Sequence, residues 1–216
     1  MADVATATVP IFPLAGVLLL PGGHLPLNIF EPRYLAMVRD AIAGERLIGM
    51  VQPTDPQTRE FEPPVYPVGC TGRITACKET DGNRLLITLT GQRRFVIEAE
   101  LSRTTLYRQV RIAYDAFAGD GQGGGEAEAA TIDRTRLMAG LKRYLERAGM
   151  KADWSAIEQA PSGPLVTTLA MVCPFEPNEK QALLEAKTLP ERAKLMTALM
   201  EIALRQGAPG ARPPLH

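Results

Sequence analysis

The first third of the chain places short apolar runs between turn residues, a pattern that predicts β-strands. Residues 9–14 and 17–20 are two such runs, and a Pro-Gly-Gly turn at residues 21–23 ends the second. Apolar and polar side chains then alternate over residues 25–29, as they do in a half-buried strand. Because Pro26 has no N–H to donate to a ladder, we expect this strand at an edge or a bulge.

The apolar positions that follow recur at helical rather than strand spacing. Leucine, valine and isoleucine side chains repeat every three or four positions within residues 35–42, which predicts an amphipathic helix. Pro32 suits its first turn, and Gly44 stands where a left-handed residue would end it. An apolar run at residues 47–51 predicts a short buried strand after the helix.

Proline interrupts this pattern at residues 53–67, which contain five prolines. Such a segment forms no continuous ladder, so we predict a loop that holds Phe61 and Tyr66 without secondary structure of its own. Alternation then resumes, and an Asp-Gly turn at residues 81–82 predicts a hairpin. The further predicted strands are residues 69–78, 85–90, 95–100 and 107–117.

After a glycine-rich stretch at residues 119–125, which indicates a flexible linker, the spacing becomes helical. Helical faces occupy residues 137–148 and 165–172, another helix begins near Pro177, and residues 188–191 have the spacing of a capping box. Strands followed by helices predict an α+β fold. The expected parts are a β-barrel domain with one helix at residues 9–117, a linker at 118–130 and a helical bundle at 131–207.

Composition and charge narrow the classes of partner. The chain has 216 residues, of which 45% are hydrophobic and 22% charged, as in an average folded soluble protein. Basic and acidic residues number 24 each, so the net charge favours neither nucleic acid nor acidic membranes. Acidic residues also interrupt the densest basic run, which therefore predicts a solvated strand face; its arginines are Arg93, Arg94, Arg103, Arg108 and Arg111.

The cysteines and the N-terminal sequence indicate the compartment. The odd number of cysteines, Cys70, Cys77 and Cys173, argues against a disulfide framework and favours a reducing compartment. The start of the chain lacks the basic residues of a signal peptide, and the apolar run at residues 11–20 is too short to span a bilayer. We expect a cytoplasmic protein with no membrane partner, whose cysteines are buried small apolar side chains.

Candidate catalytic and metal-binding residues are few. The sequence contains no Gly-Lys pair, which a phosphate-binding loop requires. Its histidines are His24, at a predicted turn, and the last residue His216. The sequence therefore indicates no general base for a serine or cysteine nucleophile. Cys70 and Cys77 are too far apart for a zinc-binding pair. The sequence therefore predicts no cofactor, no metal and no catalytic group.

Large side chains in or beside predicted loops are the remaining candidates for binding. Aromatic residues held by a rigid barrel could line a recognition groove, or they could close over the barrel core. Glu31 stands at the helix entrance, where the helix dipole and free amides stabilise a carboxylate. The candidate side chains are Phe30, Tyr34, Met37, Phe61 and Tyr66.

One protein family resembles this chain over most of its length. Val-Pro-Ile-Phe-Pro-Leu at residues 9–14 and Leu-Pro-Leu-Asn-Ile-Phe-Glu-Pro-Arg-Tyr at 25–34 look like the opening of the Lon protease N-terminal domain. Residues 68–74 and Gly-Gln-Arg-Arg-Phe at 91–95 resemble its later strands, and residues 180–204 its closing helices. The resemblance is strongest to the small stand-alone proteins that are built on this domain.

The resemblance implies a PUA-like β pseudo-barrel followed by a helical bundle. It also implies a non-catalytic module that binds unfolded or partner polypeptides, because the chain ends before an ATPase or a Ser–Lys peptidase module would begin. The expected protein-binding residues lie in the most specific motif and in the proline-rich loop. They are Phe30, Glu31, Arg33, Tyr34, Phe61 and Tyr66.

Two other functions stay open at this point. PUA-like barrels also bind RNA or small ligands, and RNA binding would require the barrel arginines to cluster on one face. Peptide hydrolysis by Ser162 is a weaker alternative, because the flanking sequence differs from the peptidase motif and a helix cap accounts for the serine.

Overall fold

A computed structural model describes residues 6–120 and 128–206, which form a six-stranded sheet followed by helices. β1 and β3 pair in parallel, and the other pairings of the sheet are antiparallel. The strands are β1 (Thr6–Pro13), β2 (His24–Ile29), β3 (Leu47–Val51), β4 (Val68–Thr80), β5 (Arg84–Glu100) and β6 (Gln109–Ala113).

Helices occupy one crossover of the sheet and most of the chain after it. α1 (Pro32–Ala43) connects β2 to β3, and a short 3-10 helix (Asp115–Phe117) follows β6. The later helices are α2 (Arg134–Arg147), α3 (Trp154–Gln159), α4 (Ser162–Val172), α5 (Pro177–Glu185) and α6 (Leu189–Gln206).

The strand order, β2-β5-β4-β3-β1-β6, bends back on itself because β6 also pairs with β5. Five strands thus form an irregular ring, with β2 outside it at the free edge. Register shifts at Thr71/Gly72 and Ile74/Ala76 in β4, and at Ile97/Ala99 in β5, give the local bending that closure requires. The predicted α+β class is confirmed, and so is the edge position of Pro26. A likeness to PUA domains stays a prediction.

The core of the ring forms around Phe95, which is fully buried. Glycine allows the neighbouring backbone to approach this ring closely, since a Cβ atom on Gly69 would lie 2.5 Å from the end of the Phe95 ring. Val110 and Ile112 of β6 both enter this core, and Tyr114 packs against it. The buried side chains of this cluster are Val9, Ile11, Val51, Phe95, Val110 and Ile112.

The described residues fall into two compact units. The first joins residues 6–120 to residues 170–185, and the second joins residues 128–169 to residues 186–206. The sequence-based division assigned residues 170–185, which include α5, to a bundle at 131–207, whereas these residues group with the sheet. Most of the predicted linker, residues 121–127, and the last predicted bundle residue lie outside the described ranges.

Buried polar side chains bind residues 170–185 to the sheet. The Lys180 ammonium donates to the carbonyl oxygen of Gly16 at 2.9 Å, and burial lowers the pKa of this lysine. The Gln52 amide donates to the Gln181 side chain at 3.2 Å. No hydrophobic period in the sequence reveals such pairings, which explains why the boundary was placed elsewhere.

Arg94 on β5 is part of the same buried arrangement. It is 3% exposed, and its guanidinium donates to the Asp120 carboxylate at 2.7 Å and to the carbonyl oxygen of Leu184 at 2.9 Å. Its guanidinium carbon lies 4.2 Å from the centroid of the Phe117 ring. The expected solvated strand face is therefore wrong for Arg94, because a carboxylate, a carbonyl and a ring replace its water.

The second unit is built on the packing of α2 against α6. The start of α6 has the predicted capping box. The Glu191 N–H donates to the Thr188 hydroxyl at 3.3 Å, and the Thr188 N–H donates to the Glu191 carboxylate at 3.3 Å. The buried hydrophobic side chains on these two helices are Leu137, Leu141, Tyr144, Leu145, Ala193, Met196 and Met200.

Several local predictions differ from the structure. Residues 17–20 are not a strand, although Leu18, Leu19 and Leu20 are buried. Their backbone bends towards Gly91, where a side chain would collide with the carbonyl oxygen of Leu20. A continuous apolar run does not distinguish a buried strand from a buried loop of this kind.

The end of α1 and one cysteine also differ from expectation. The left-handed residue after α1 is Arg46, with φ of 61°, whereas Gly44 has φ of −111°. Cys70 and Cys173 are buried as expected, but Cys77 is exposed. Helix α3 has no fully buried residue, which is why no apolar stripe predicted it.

Among the described residues, no helix has the length and apolar character that crossing a bilayer requires.

Candidate functional site

The candidate site begins where β2 passes into α1. Glu31 precedes the helix in an extended conformation, with φ of −71° and ψ of 135°, and Pro32 opens the first turn. The Glu31 carboxylate does not cap the helix; it accepts from Arg33 Nε at 2.9 Å. The helix entrance therefore orients an arginine side chain, and the ion pair with Arg33 Nη2, also 2.9 Å, strengthens this orientation.

Arg33 is held between two aromatic rings. Its guanidinium carbon lies 4.5 Å from the centroid of the Tyr34 ring and 4.2 Å from that of Phe61. Its Nη1 also donates to the backbone carbonyl of Phe61 at 2.6 Å. We call Glu31, Arg33, Tyr34 and Phe61 the Arg33 cluster.

Tyr34 is the buried side of this cluster. Its ring is packed against Phe12, with centroids 4.2 Å apart and planes at 37°. Burial raises the pKa of the Tyr34 phenol, and the nearby Arg33 charge opposes that rise. Met37, one turn further, is fully buried as well. These two side chains close over the core, as the alternative interpretation of the aromatic residues expected.

Phe61 and Phe30, in contrast, are displayed to solvent. Phe61 is 58% exposed and Phe30 is 59% exposed. Phe30 lies outside the Arg33 cluster, and its ring has Arg84 at 5.9 Å. Closure over the core thus holds for Tyr34 and Met37, while a recognition role for Phe30 and Phe61 stays a prediction.

The proline-rich loop at residues 53–67 carries Phe61 on an anchored base. An isolated bridge joins Pro53 to Val65, a small piece of secondary structure that the sequence did not predict. The Tyr66 N–H donates to the carbonyl oxygen of Gln52 at 2.9 Å. Tyr66 is half-buried at this base and is not brought into the Arg33 cluster.

A second loop, residues 101–108, lies against the first. Arg103 forms an ion pair with Glu62, has its guanidinium carbon 5.5 Å from the Phe61 ring, and donates to the carbonyl oxygen of Leu106 at 3.1 Å. Leu106 itself is 60% exposed. The two loops therefore present two large apolar side chains, Phe61 and Leu106, around Arg103.

Sequence reasoning missed this second loop. Arg103 and Arg108 were noticed only as members of a basic run. Arg108 donates to both oxygens of Glu100 at 2.7 Å and to the carbonyl oxygen of Pro63 at 2.7 Å, so it also anchors the proline-rich loop. The Glu100 carboxylate has a lowered pKa, chiefly because of this hydrogen bond. The alternation of acidic and basic residues in the sequence was the signal that could have indicated these ion pairs.

The space around the cluster differs on its two sides. Between the rings and the second loop the cavity measures only about 10 Å³, so the cluster itself is closed. Beside it, an open groove of about 580 Å³ lies between α1 and residues 103–107. There the Tyr107 hydroxyl donates to Asp40 at 2.8 Å, and burial together with this bond raises the pKa of Tyr107 to about 12.

Four arginines at and near this site form ion pairs with glutamates. Arg33 pairs with Glu31, Arg103 with Glu62, Arg108 with Glu100 and Arg111 with Glu98. Glu98 and Glu100, which interrupt the basic run in the sequence, thus form ion pairs with two of its arginines in the structure.

Other candidates for chemistry stay apart from this site. His24 is exposed, and its Nδ1 lies 3.1 Å from the Thr90 hydroxyl oxygen. Within residues 6–120 and 128–206, no group of three His, Cys, Asp or Glu side chains is placed to hold a metal ion. The Ser162 hydroxyl accepts from Arg134 Nη1 at 3.1 Å at the start of α4.

Comparisons with known proteins show the family to which the chain belongs. Residues 8–201 match a family described as the ATP-dependent protease La (LON) substrate-binding domain. Among curated relatives, Lon protease of Anaeromyxobacter dehalogenans is 27% identical over 90% of this chain, and Lon protease 2 of Myxococcus xanthus is 26% identical over 88%. The chain spans about a quarter of their length, 23% of each.

Two solved structures have a similar fold. The N-terminal domain of Mycobacterium avium complex Lon protease superposes with a TM-score of 0.63 at 19% identity, covering 90% of this chain and 98% of that one. A Lon N-terminal domain protein from Xanthomonas campestris superposes with a TM-score of 0.56 at 22% identity, covering 89% and 98%. At these identities the likeness concerns the fold alone.

Proposed function

Because the chain belongs to the Lon substrate-binding domain family, we propose that it binds exposed apolar segments of unfolded or partner polypeptides. The proposed contact surface is the Arg33 cluster with its neighbouring loops. The residues of the proposal are Phe30, Glu31, Arg33, Tyr34, Phe61 and Tyr66 from the sequence, with Arg103 and Leu106 added from the structure.

The observation that carries the proposal is the display of Phe61 and Leu106 beside Arg33 and Arg103. Aromatic rings and guanidinium groups are enriched at protein-binding surfaces, and the exposed leucine adds apolar area that a ligand can cover. Arg108 anchors the proline-rich loop through the Pro63 carbonyl, and Arg103 braces the second loop through the Leu106 carbonyl. Anchoring lowers the entropy lost when a ligand binds, which favours recognition by this surface.

Charge supports a polypeptide over a nucleic acid as the ligand. A polyphosphate backbone is attracted to arginines whose charge is free, whereas Arg33, Arg103 and Arg108 are paired with glutamates. RNA or small-ligand binding remains the alternative from sequence, and the salt dependence of any RNA binding is its test.

We further propose a binding role without catalysis, in the cytoplasm. The side chains that the site exposes are aromatic and aliphatic groups and ion-paired arginines, which hold a ligand rather than break a bond. Cys70, Cys77 and Cys173 form no disulfide with one another, in keeping with a reducing compartment.

Hydrogen exchange with and without an unstructured peptide tests the proposal. With a peptide rich in aromatic and aliphatic residues, we expect slower exchange at residues 30–34 and 103–107 and altered exchange at residues 58–66. A matched peptide with serine at the apolar positions is the control and should leave the exchange rates unchanged. Protection elsewhere, or equal protection by the serine peptide, would contradict the proposal. RNA binding that weakens steeply with salt would favour the alternative.

A further inference from the structure

One residue of the proline-rich loop supplies Arg33 with two different contacts. The ring of Phe61 stacks on the guanidinium, with 4.2 Å from the ring centroid to the guanidinium carbon, and its backbone carbonyl accepts from Nη1 at 2.6 Å. The ring nevertheless stays 58% exposed. Hydrophobic burial therefore does not account for its position, and the contact with Arg33 does.

Any aromatic residue of an extended polypeptide has these same two groups, a ring and an adjacent carbonyl. We propose that Phe61 occupies the place of an aromatic residue of a bound polypeptide, so that residues 53–67 compete with the ligand for Arg33. This inference rests on the proposed function and refines it. The ligand contacts Arg33 in place of Phe61, the preferred segment contains an aromatic residue, and the loop that carries Phe61 is a competitor within the chain.

Arg33 is prepared for such a ligand. The Glu31 carboxylate accepts from the Arg33 Nε and pairs with its Nη2, and the centroid of the buried Tyr34 ring lies 4.5 Å from the guanidinium carbon. Nη1 is directed to the carbonyl oxygen of residue 61, whose ring also lies over the guanidinium. A planar guanidinium fixed in this way combines stacking with a directed hydrogen bond, which a lysine ammonium does not.

The tip of the proline-rich loop is held less firmly than its base. Its base is held by the bridge of Pro53 with Val65 and by the bond from Arg108 to Pro63. Nearer the tip, besides its contacts with Arg33, the loop is held by the exposed ion pair of Glu62 with Arg103 and by local turn hydrogen bonds. Segments with few buried contacts open at low free energy, so the tip can leave Arg33 while the base stays bound.

A smaller and a larger side chain in place of Phe61 distinguish competition with the ligand from direct contact with it. If Phe61 competes with the ligand, Phe61→Ala strengthens ligand binding and Phe61→Trp weakens it. If Phe61 itself touches the ligand, the order reverses. The exposed position of the side chain makes both variants compatible with folding, which thermal unfolding followed by circular dichroism checks.

The probe is a fluorescein-labelled, unstructured peptide with a single Trp among polar residues, measured by fluorescence anisotropy on the full chain. We expect Phe61→Ala to lower its Kd about two- to fivefold, the factor of one exposed cation–π contact, and Phe61→Trp to raise it. Arg33→Lys should weaken binding, and a peptide with Leu in place of Trp should respond less to each change.

Leu86→Ala is the control, because Leu86 is an exposed apolar side chain on β5 outside the proposed contact surface; it should leave the Kd unchanged. A Kd that rises or stays constant in Phe61→Ala, or falls in Phe61→Trp, overturns the competition while leaving polypeptide binding intact. Absence of binding by the wild type and by every variant overturns the proposed function as well. Binding by Phe61→Ala but not by the wild type supports both.

Discussion

Two arginines of the first unit have the same kinds of partners but differ in how deeply they are buried. Arg94 and Arg33 each lie with the guanidinium carbon 4.2 Å from a phenylalanine ring, pair with a carboxylate and donate to a backbone carbonyl. The side chains of Arg94 and its carboxylate are 4% and 9% exposed, whereas those of Arg33 and Glu31 are 21% and 44% exposed.

The difference in burial decides what each arrangement does. A buried charge that loses its partner leaves an unsolvated ion, so the Arg94 arrangement enforces one structure. An exposed ion pair adds little to folding, because water replaces a lost partner. The same contacts therefore hold the fold together at Arg94 and leave Arg33 free to exchange Phe61 for a ligand.

The largest expected effect is the loss of the carboxylate beside Arg94. Asp120→Ala should lower the free energy of unfolding by about 3 kcal/mol, because Arg94 stays buried without its counter-charge. Urea unfolding followed by circular dichroism measures this loss. Asp115→Ala, a nearby exposed position in the short 3-10 helix, is the control and should change the free energy by about 0.5 kcal/mol or less. Equal effects of the two changes would contradict the comparison.

An uncharged buried contact should cost less than the buried charge. Gln181→Ala removes the acceptor of the Gln52 amide and the donor to the Val68 carbonyl, and should destabilise the protein by about 2 kcal/mol. Gln92→Ala is the control, because the Gln92 amide bonds only locally, to the carbonyl oxygen of Thr90 at 3.1 Å. The urea unfolding midpoints of the two variants measure this difference. A loss of stability in Gln181→Ala no larger than that in Gln92→Ala would show that burial does not govern the effect.

Tyr107 provides an intermediate case whose effect depends on pH. Its pKa is raised from 10.0 to about 12 by burial and by Asp40, so the folded protein keeps a proton that the unfolded chain releases above pH 10. Its stabilising effect should be complete below pH 10 and disappear as the pH approaches 12. Tyr107→Phe should therefore be less stable than the wild type by about 1 kcal/mol at pH 8, with a difference that shrinks in strong alkali.

Urea unfolding of both proteins at several pH values measures this difference. The comparison with the variant is needed because other groups titrate in the same range. Burial raises the pKa of Cys173 to about 12, which also lowers stability as the pH rises, whereas the lowered pKa of Lys180 acts in the opposite sense. A difference between wild type and variant that is constant from pH 8 to 12 would contradict the assignment to Tyr107.

Elements with a strong local signal could be predicted from the sequence. Pro32 and the apolar spacing after it located α1, and residues 47–51 were predicted to be a strand with the bounds of β3. The motif at residues 25–34 led to Arg33 and Tyr34 together. Each of these signals lies within a few residues of the structure that it predicts.

Contacts between distant residues could not be predicted in this way. Arg94 bonds to Asp120, 26 positions away, and to Leu184, 90 positions away, and in sequence it resembles any solvated strand arginine. The Phe61 contact with Arg33 spans 28 positions. The site was therefore predicted as a set of residues, while its arrangement and its second loop required the fold.

The smallest expected effect concerns the carboxylate that orients Arg33. Glu31→Gln should change the free energy of unfolding by about 0.5 kcal/mol or less, because the pair that it breaks is exposed and the helix end does not depend on it. The same change should weaken binding of the Trp peptide, since Arg33 loses its fixed orientation. Urea unfolding and anisotropy on the same sample give both numbers. A loss of stability as large as that of Asp120→Ala would mean that the exposed arginine also holds the fold together, and the proposed exchange of Phe61 for a ligand would then have to break the domain.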